Sequence, residues 1–425
     1  MNRPIPQRFR VLALLFLGSM ITYLDRVCIS VSGKNIQEEL GISLEQWGWV
    51  LGAFVIAYGI FEIPGGALGD KYGPRKILTR IVAWWSAFTV LTGLAQGFRQ
   101  LLIVRFLFGA GEAGAFPNFS AAIARWFPIH ERARAQSFVW MASRLGGALS
   151  PVLVIPLQQW LGWRAVFYVF GAAGLLWTLA WWFFFRDHPA EKRGVTRAEL
   201  EKINPMPIMS DHRKTPWKQI FSKANIWWVM LMYHANAWCV FFYLTWLHIF
   251  LVNGRGFTPR ELVMFSWLPF VFGAGANLLG GITSDFLVRR TGLKWGRRLV
   301  GVGGLGAATV FLTLTIFTQA KLPTILFLAL AYGFSDFALP VAWAVCLDIG
   351  QKNAGVVTGA MNMAAQAGSF LTTVLFGYIV VASGSYNAPL IPIAVMSLVA
   401  TLAWLKINPA SPLSPATEPA PPNAP

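Results

Sequence analysis

Charge is scarce in this sequence: only 12% of its 425 residues are Asp, Glu, Lys or Arg, about half the share found in soluble domains. Cysteine is scarcer still, and Cys28, Cys239 and Cys346 all fall within apolar runs, which points away from a disulfide framework. The five His show no metal-ligand spacing, and neither a Walker loop nor a dinucleotide-binding glycine loop is present. No metal, no organic cofactor and no ATP-driven step is therefore expected of this chain. A hydrolase within a membrane would gather His or Ser and Asp at one depth. None converges here, so the sequence does not read as an enzyme.

What is abundant is apolar surface. Hydrophobic residues make up 56% of the chain, more than a water-soluble core could hide, and they recur in runs near the ~20 residues that cross a bilayer as a helix. The expected fold class is an all-α polytopic membrane protein with twelve spans. The first six cover roughly 11–33, 47–68, 77–96, 101–124, 135–157 and 164–185. The second six cover 225–252, 261–287, 298–319, 322–349, 354–382 and 386–407. The N-terminal run has no small-residue cleavage site and reads as an uncleaved first helix. Trp84, Trp85, Trp181, Trp182, Trp227 and Trp228 suit interfacial belts.

The net charge of +17 raises the question of a nucleic-acid partner, and its distribution answers it. With the N-terminus inside, the outer loops hold only Lys34, Arg99, Arg164, Arg255, Arg260 and Lys321, while Arg26, Arg105 and Arg144 lie within spans. The remaining Lys and Arg sit on the inner side. This positive-inside bias reports orientation: a multi-pass protein of the cell inner membrane with both termini cytoplasmic, and no nucleic-acid partner.

The chain divides into two six-helix bundles, 1–185 and 225–407, joined by a cytoplasmic linker at 186–224 and followed by a Pro- and Ala-rich, disordered tail at 408–425. The halves echo each other. GGALGDKYGPRK follows the second span and GGITSDFLVRR the eighth; each places Gly, three residues, Asp and a basic cluster in order. With these motifs the chain resembles the major facilitator superfamily over nearly its whole length, Lys71 standing where that signature usually has Arg. The resemblance implies two halves that rock about a midplane site, a monomer, and gating roles for Gly66, Asp70, Arg75 and Asp285.

Charges inside the spans cost at least ~2.5–3.5 kcal/mol each on insertion scales, so their positions carry information. Arg105 and Glu112 are seven residues apart, which puts both on one side of a helix about 10 Å apart along its axis. Asp25, Arg26, Glu112 and Arg144 fall at one depth in the N-terminal half. Two explanations are open. The charges neutralise one another, as Glu112 with Arg144 or Asp25 with Arg105; or arginine forks hold a carried anion beside carboxyls that take up protons. Asp336 and Asp348 are placed nearer the ends of the tenth span with no role, and Glu62 is assigned to the gate of the second span. Among neutral groups, Trp343, Asn362 and Gln366 are candidate pocket residues, the two amides sharing a face at a spacing of four.

YLDRVCIS, AYGIFEIPGG and RFLFGAGEAGAFPN resemble the anion:cation symporter branch of the superfamily, which carries galactonate, glucarate, hexuronates and aromatic acids and is related to vesicular glutamate transporters. That resemblance implies Arg26 as the holder of a substrate carboxylate, Asp25 and Glu112 as proton-coupling sites, Arg105 as their charge partner, and Tyr23 and Tyr58 as pocket lining. Two positions depart from it: Arg144 stands where an uncharged amide is common, and His248 near a usual Pro. Arg144 either binds a second acidic group of the substrate or pairs with Glu112. The expected function is proton-coupled symport of a small organic anion, a sugar acid such as a hexonate, hexarate or hexuronate. Uptake of an aromatic or dicarboxylic acid, and efflux of an organic anion, are the alternatives.

Overall fold

The computed structural model describes residues 6–203, 217–350 and 354–411. Residues 204–216 of the linker, most of the C-terminal tail (412–425) and the Asp70 side chain lie outside the described set. Helices account for almost all of the rest, and no strand occurs among the described residues.

The first half contains α1 (Gln7–Val31), a short α2 (Gly33–Leu40), α3 (Leu44–Tyr72), α4 (Pro74–Leu94), α5 (Phe98–Glu112), α6 (Ala115–Trp126), α7 (Ile129–Leu161) and α8 (Trp163–Phe184). Two short helices follow, α9 (Arg197–Ile203) and α10 (Trp217–Phe221). The second half contains α11 (Ala224–Thr245), α12 (Leu247–Ile249), α13 (Pro259–Phe265), α14 (Leu268–Phe317), α15 (Lys321–Gly350), α16 (Ala354–Ser383) and α17 (Leu390–Lys406). Among the described residues, eight helices are long and apolar enough to cross a bilayer alone, and α11 with the segment after it, bent by 63°, makes a ninth.

The twelve expected runs each find a helix once three local features are read. The 50-residue α14 holds Gly292 at φ +80°, a left-handed residue that reverses the chain, so it serves as the eighth and ninth spans. The fourth span is two helices, because the chain leaves helical geometry at Ala113 and turns left-handed at Gly114, φ +87°. A Cβ on Gly114 would collide with the backbone of Gly65, so the break is also where α3 presses closest. The twelfth, α17, is 17 residues long.

Side chains facing outward are those a lipid solvent accepts. Leu175, Leu176, Leu179 and Phe183 run along one side of α8 and are exposed. The tryptophan pairs split between two environments. Trp84, Trp182 and Trp227 are exposed as a belt requires, whereas Trp85 and Trp181 are fully buried, Trp181 stacked between Trp177 and Phe185. Adjacent residues on a helix point about 100° apart, so a Trp-Trp pair cannot place both rings in one belt.

The halves meet chiefly through α3 against α16 and α7 against α14. Gly48, Gly52 and Gly59 of α3 face α16, where an added Cβ would meet the Thr373 and Val374 carbonyls, the Val374 side chain and Gln366 respectively. Gly377 returns the arrangement against the Leu44 backbone. Small residues at such spacing let two helices approach to backbone contact. Hydrogen bonds join the halves toward the face opposite the termini: Ser30 Oγ donates to the Thr245 carbonyl (2.7 Å), and Trp49 Nε1 to Tyr378 (3.0 Å). Closer to the terminal, basic face, Asn362 Nδ2 donates to Glu62 at 2.6 Å. The protein is thus zipped shut on the face away from its termini.

Candidate functional site

The buried charges gather as two ion pairs and two unpaired groups around the middle of the protein. Arg26 of α1 donates from Nε to Glu112 Oε1 of α5 at 2.5 Å. Its guanidinium also sits among aromatic rings, 4.7 Å from the centre of Tyr58, 5.2 Å from Tyr23, 5.3 Å from Phe54 and 5.9 Å from Phe116. These faces supply cation–π attraction to a guanidinium that is largely buried. Arg26 Nη2 and Glu112 Oε2 have no hydrogen-bond partner among the described residues, so the pair retains capacity for a further ligand.

Arg144 of α7 reaches across to the second half. Its Nη2 donates to Asp336 Oδ1 of α15 at 2.9 Å, and its Nε lies 2.7 Å from Oδ2. Asp336 is buried, near the centre of the 30-residue α15. Two expectations are corrected here. Arg144 does not pair with Glu112, and Asp336 is not near the end of its span. The boundaries 322–349 already centre on Asp336, so its depth was readable in the sequence. Its partner was not, because that contact joins residues 192 positions apart. Asp348 does lie toward a helix end, bonded by Arg297 Nε at 3.2 Å.

Asp25 and Arg105 carry no ion pair. Both Asp25 oxygens lack a hydrogen-bond partner among the described residues, although Trp85 and Thr89 of α4 and the Arg105 guanidinium are its electrostatic neighbours. Arg105 is held by the faces of Phe108 (4.3 Å) and Phe54 (5.3 Å). The adjacent Asp25 and Arg26 therefore serve different neighbours, as their 100° separation on α1 requires: Asp25 turns toward α4 and Arg105, Arg26 toward Glu112. A direct Asp25–Arg105 bond is not formed.

A cavity of about 20 Å³ lies beside Arg26 and Arg105, closed by Phe54 of the first half and by Phe241, Leu244 and Thr245 of the second. It has room for about one water and none for an organic acid. Buried His248 stands 3.4 Å from Ser30 Oγ in the adjoining seal. Of the neutral candidates, Trp343 Nε1 donates to Tyr233 (3.1 Å) and its ring packs on Trp140 from the other half. Asn362 is bonded to Glu62, so Glu62 contacts the second half at mid-depth. Gln366 packs against Gly59.

Of the motif residues, Gly66, Arg75 and Asp285 make their described contacts within their own halves. Gly66 approaches Pro117 of α6. Arg75 donates to the Trp182 carbonyl from Nε (3.2 Å) and Nη2 (2.9 Å), while its backbone N–H donates to Asp187. Asp285 accepts from Arg297 Nη1 at 3.1 Å. No group of three or more potential metal ligands occurs among the described residues.

A family model described as Major Facilitator Superfamily matches residues 15–373. The chain belongs to the Major Facilitator Superfamily. It is 37% identical to the "Probable sulfoacetate transporter SauU" of Cupriavidus necator, across 96% of both chains. It is 31% identical to the "Probable galactarate/D-glucarate transporter GudP" of Bacillus subtilis, over 94% of this chain and 91% of that one. It is 30% identical to the D-galactonate transporter of Escherichia coli, over 95% and 96%. Among solved structures, a bacterial homologue of the lysosomal transporter Spinster in an inward-facing, occupied conformation superposes with a TM-score of 0.77 at 20% identity, covering 96% of this chain and 97% of that one. A D-xylose-proton symporter superposes with a TM-score of 0.74 at 15% identity, covering 94% and 98%. The protein is accordingly a multi-pass transporter with the superfamily's fold and not an enzyme, and the sugar-acid carriers among its relatives agree with the branch that the first-span and fourth-span motifs resemble.

Proposed function

We propose that this transporter imports a small organic anion together with protons across the inner membrane, as a monomer, by alternating access. The observation that carries the reading is the Arg26–Glu112 pair inside its aromatic cage, with Asp25 buried and unpaired one residue away. Proton uptake by Glu112 releases the Arg26 fork, and an incoming carboxylate or sulfonate takes its place. Asp25 provides a second proton position whose charge is costly while unpaired, and Arg105 adjusts both carboxyls from its place between rings. Tyr23 and Tyr58 line the anion's seat. Trp343, Asn362 and Gln366 supply the second half's share of the pocket and bond to hydroxyls once Asn362 is released from Glu62. Gly66, Asp70, Arg75 and Asp285 act at the basic gate in the state opposite to this one.

The positive-inside bias supports a cytoplasmic location for the basic face and both termini. The sealed face is then periplasmic and the conformation inward-facing. Sugar acids are the leading cargo, supported by relatives named as galactarate, glucarate and galactonate carriers. A cargo with two acidic groups is the second reading. It is favoured by the second buried arginine, Arg144, and by the relative named for sulfoacetate.

The test is uptake into proteoliposomes under an imposed pH gradient, with sugar acids and sulfoacetate compared. Gradient-driven uptake that is lost in Arg26→Ala and reaches about tenfold less accumulation per pH unit in Asp25→Asn is the expected result. Uptake indifferent to pH, or surviving both substitutions, refutes it. Net flow outward under the same gradient indicates efflux.

A further inference from the structure

Arg144 and Arg26 both approach the ring of Tyr23. The Arg144 guanidinium lies 5.9 Å and that of Arg26 5.2 Å from the same Tyr23 ring, so their central carbons are separated by at most about 11 Å. Each fork is occupied by a carboxylate of the protein, but the two carboxylates differ in origin. Glu112 belongs to the same half as its arginine; Asp336 comes from the other half. The Arg144–Asp336 pair is therefore the one ion pair between halves among the described residues.

We infer that Arg144 is a second anion seat, which Asp336 occupies between turnovers and vacates on taking up a proton when a two-headed organic acid loads. The groups facing Asp336 make it a site of exchange. Arg144 approaches from α7, Cys239 from α11 and Tyr332 from its own helix, with Tyr23 of α1 lying against Arg144 and Tyr332. From α14 the nearest point is Gly273, whose missing side chain leaves the carboxyl room. Among the described residues no second cation approaches Asp336, and its compensation there is the arginine that a substrate would claim. Two acidic groups bonded by arginine forks at ~2.8 Å would stand a few ångströms apart within the 11 Å limit, the reach of a short dianion. Proton balance follows directly. One proton from solution forms the O–H bond of Asp336, the ion pair opens, and the cargo's second acidic group takes up the freed guanidinium. A dianion thus carries one proton more than a monoanion of similar size.

This inference rests on the proposed symport, and the experiment separates the two. The full-length protein is reconstituted with the membrane potential clamped to zero, and the proton count is measured for sulfoacetate, galactarate and D-galactonate. The expected result is one proton more for each dianion that is carried than for D-galactonate. In Asp336→Asn the dianion should lose that proton, so accumulation per unit of pH gradient falls about tenfold, and the KM for the dianion should lose its rise with pH. Arg144→Gln should lower the dianion-to-monoanion ratio of kcat/KM at least tenfold. Should either single substitution prevent folding by leaving a buried charge unpaired, the double variant Arg144→Gln/Asp336→Asn removes both charges and reads the same ratio. Equal proton counts for mono- and dianions in the wild type, or a specificity ratio unmoved by these variants, overturns the inference while leaving the symporter intact. No uptake of any of the three acids under the gradient counts against the symport reading itself.

Discussion

Replacing Glu112 by Gln removes one negative charge from the centre of the protein while keeping the side chain's size. In the structure Glu112 is fully buried and its Oε1 accepts the Arg26 Nε–H. The amide can still accept that hydrogen bond, but the charge pairing is gone and Arg26 is permanently in the state that proton uptake would create. Loss of one partner of a buried pair costs about 3–5 kcal/mol, and the aromatic cage recovers part of this through cation–π contacts worth up to ~2 kcal/mol when desolvated. A lowered melting temperature with retained folding is expected. For transport, each coupled proton multiplies the equilibrium accumulation about tenfold per unit of pH gradient, the equivalent of 1.36 kcal/mol. With protons on both Asp25 and Glu112, the wild type should concentrate a monoanion about a hundredfold across one pH unit when the membrane potential is clamped. Glu112→Gln should reach only about tenfold, yet exchange labelled for unlabelled substrate without a gradient at least as fast as the wild type. The assay is accumulation and counterflow in the same proteoliposomes. Undiminished accumulation in Glu112→Gln would refute the assignment of a transported proton to this carboxyl. Loss of counterflow in a folded variant would refute the idea that the neutral side chain is the loading state.

Three further outcomes test other parts of the structure. Asp25→Asn, which removes a carboxyl without hydrogen-bond partners among the described residues, should leave thermal stability equal to or above that of the wild type while lowering the pH-driven accumulation tenfold; a melting temperature reduced by several degrees would mean that Asp25 is an essential structural charge. Gly109→Val places a side chain against the backbone of Phe54 where α5 crosses α3; overpacking costs typically ~1–3 kcal/mol, and the displaced Phe54 should weaken substrate affinity, measured by size-exclusion thermal shift and KM. Trp49→Phe removes the hydrogen bond to Tyr378 at the sealed face, worth about 1 kcal/mol, and should raise labelling of cysteines introduced beneath the seal several-fold; unchanged labelling would show that this contact does not hold the face shut.

Much of the fold was legible because a bilayer imposes a length on every apolar run. The twelve runs and the turn at Gly292 follow from hydropathy and polar breaks. The interruption of the fourth span did not, since Ala113 and Gly114 lie within an apolar stretch and the cause, the approach of Gly65, is tertiary. The site was legible as a set of residues and not as a set of pairs. Insertion cost singles out Asp25, Arg26, Arg105, Glu112 and Arg144 without saying who meets whom. Arg26 with Glu112 and Arg144 with Asp336 are decided by helix rotation and by the docking of one half on the other, neither of which a single sequence encodes in its periodicity. Likewise, Trp85 and Trp181 were misplaced: Trp85 lies at the middle of α4 rather than near its end, and composition alone does not distinguish an inward from an outward ring.

The seam of Gly48, Gly52 and Gly59 against α16 bears on energy conservation. A carrier that works in an energised membrane must move its cargo without short-circuiting the voltage across it. Packing this close, on backbone at Gly48 and on the Val374 and Gln366 side chains at Gly52 and Gly59, leaves no room for a thread of water along which protons could hop, so this part of the closed face behaves as insulation. A bulkier residue in the seam would hold the helices apart and let water in. Its first cost to the cell would be current leaked through an idle protein, before any loss of uptake.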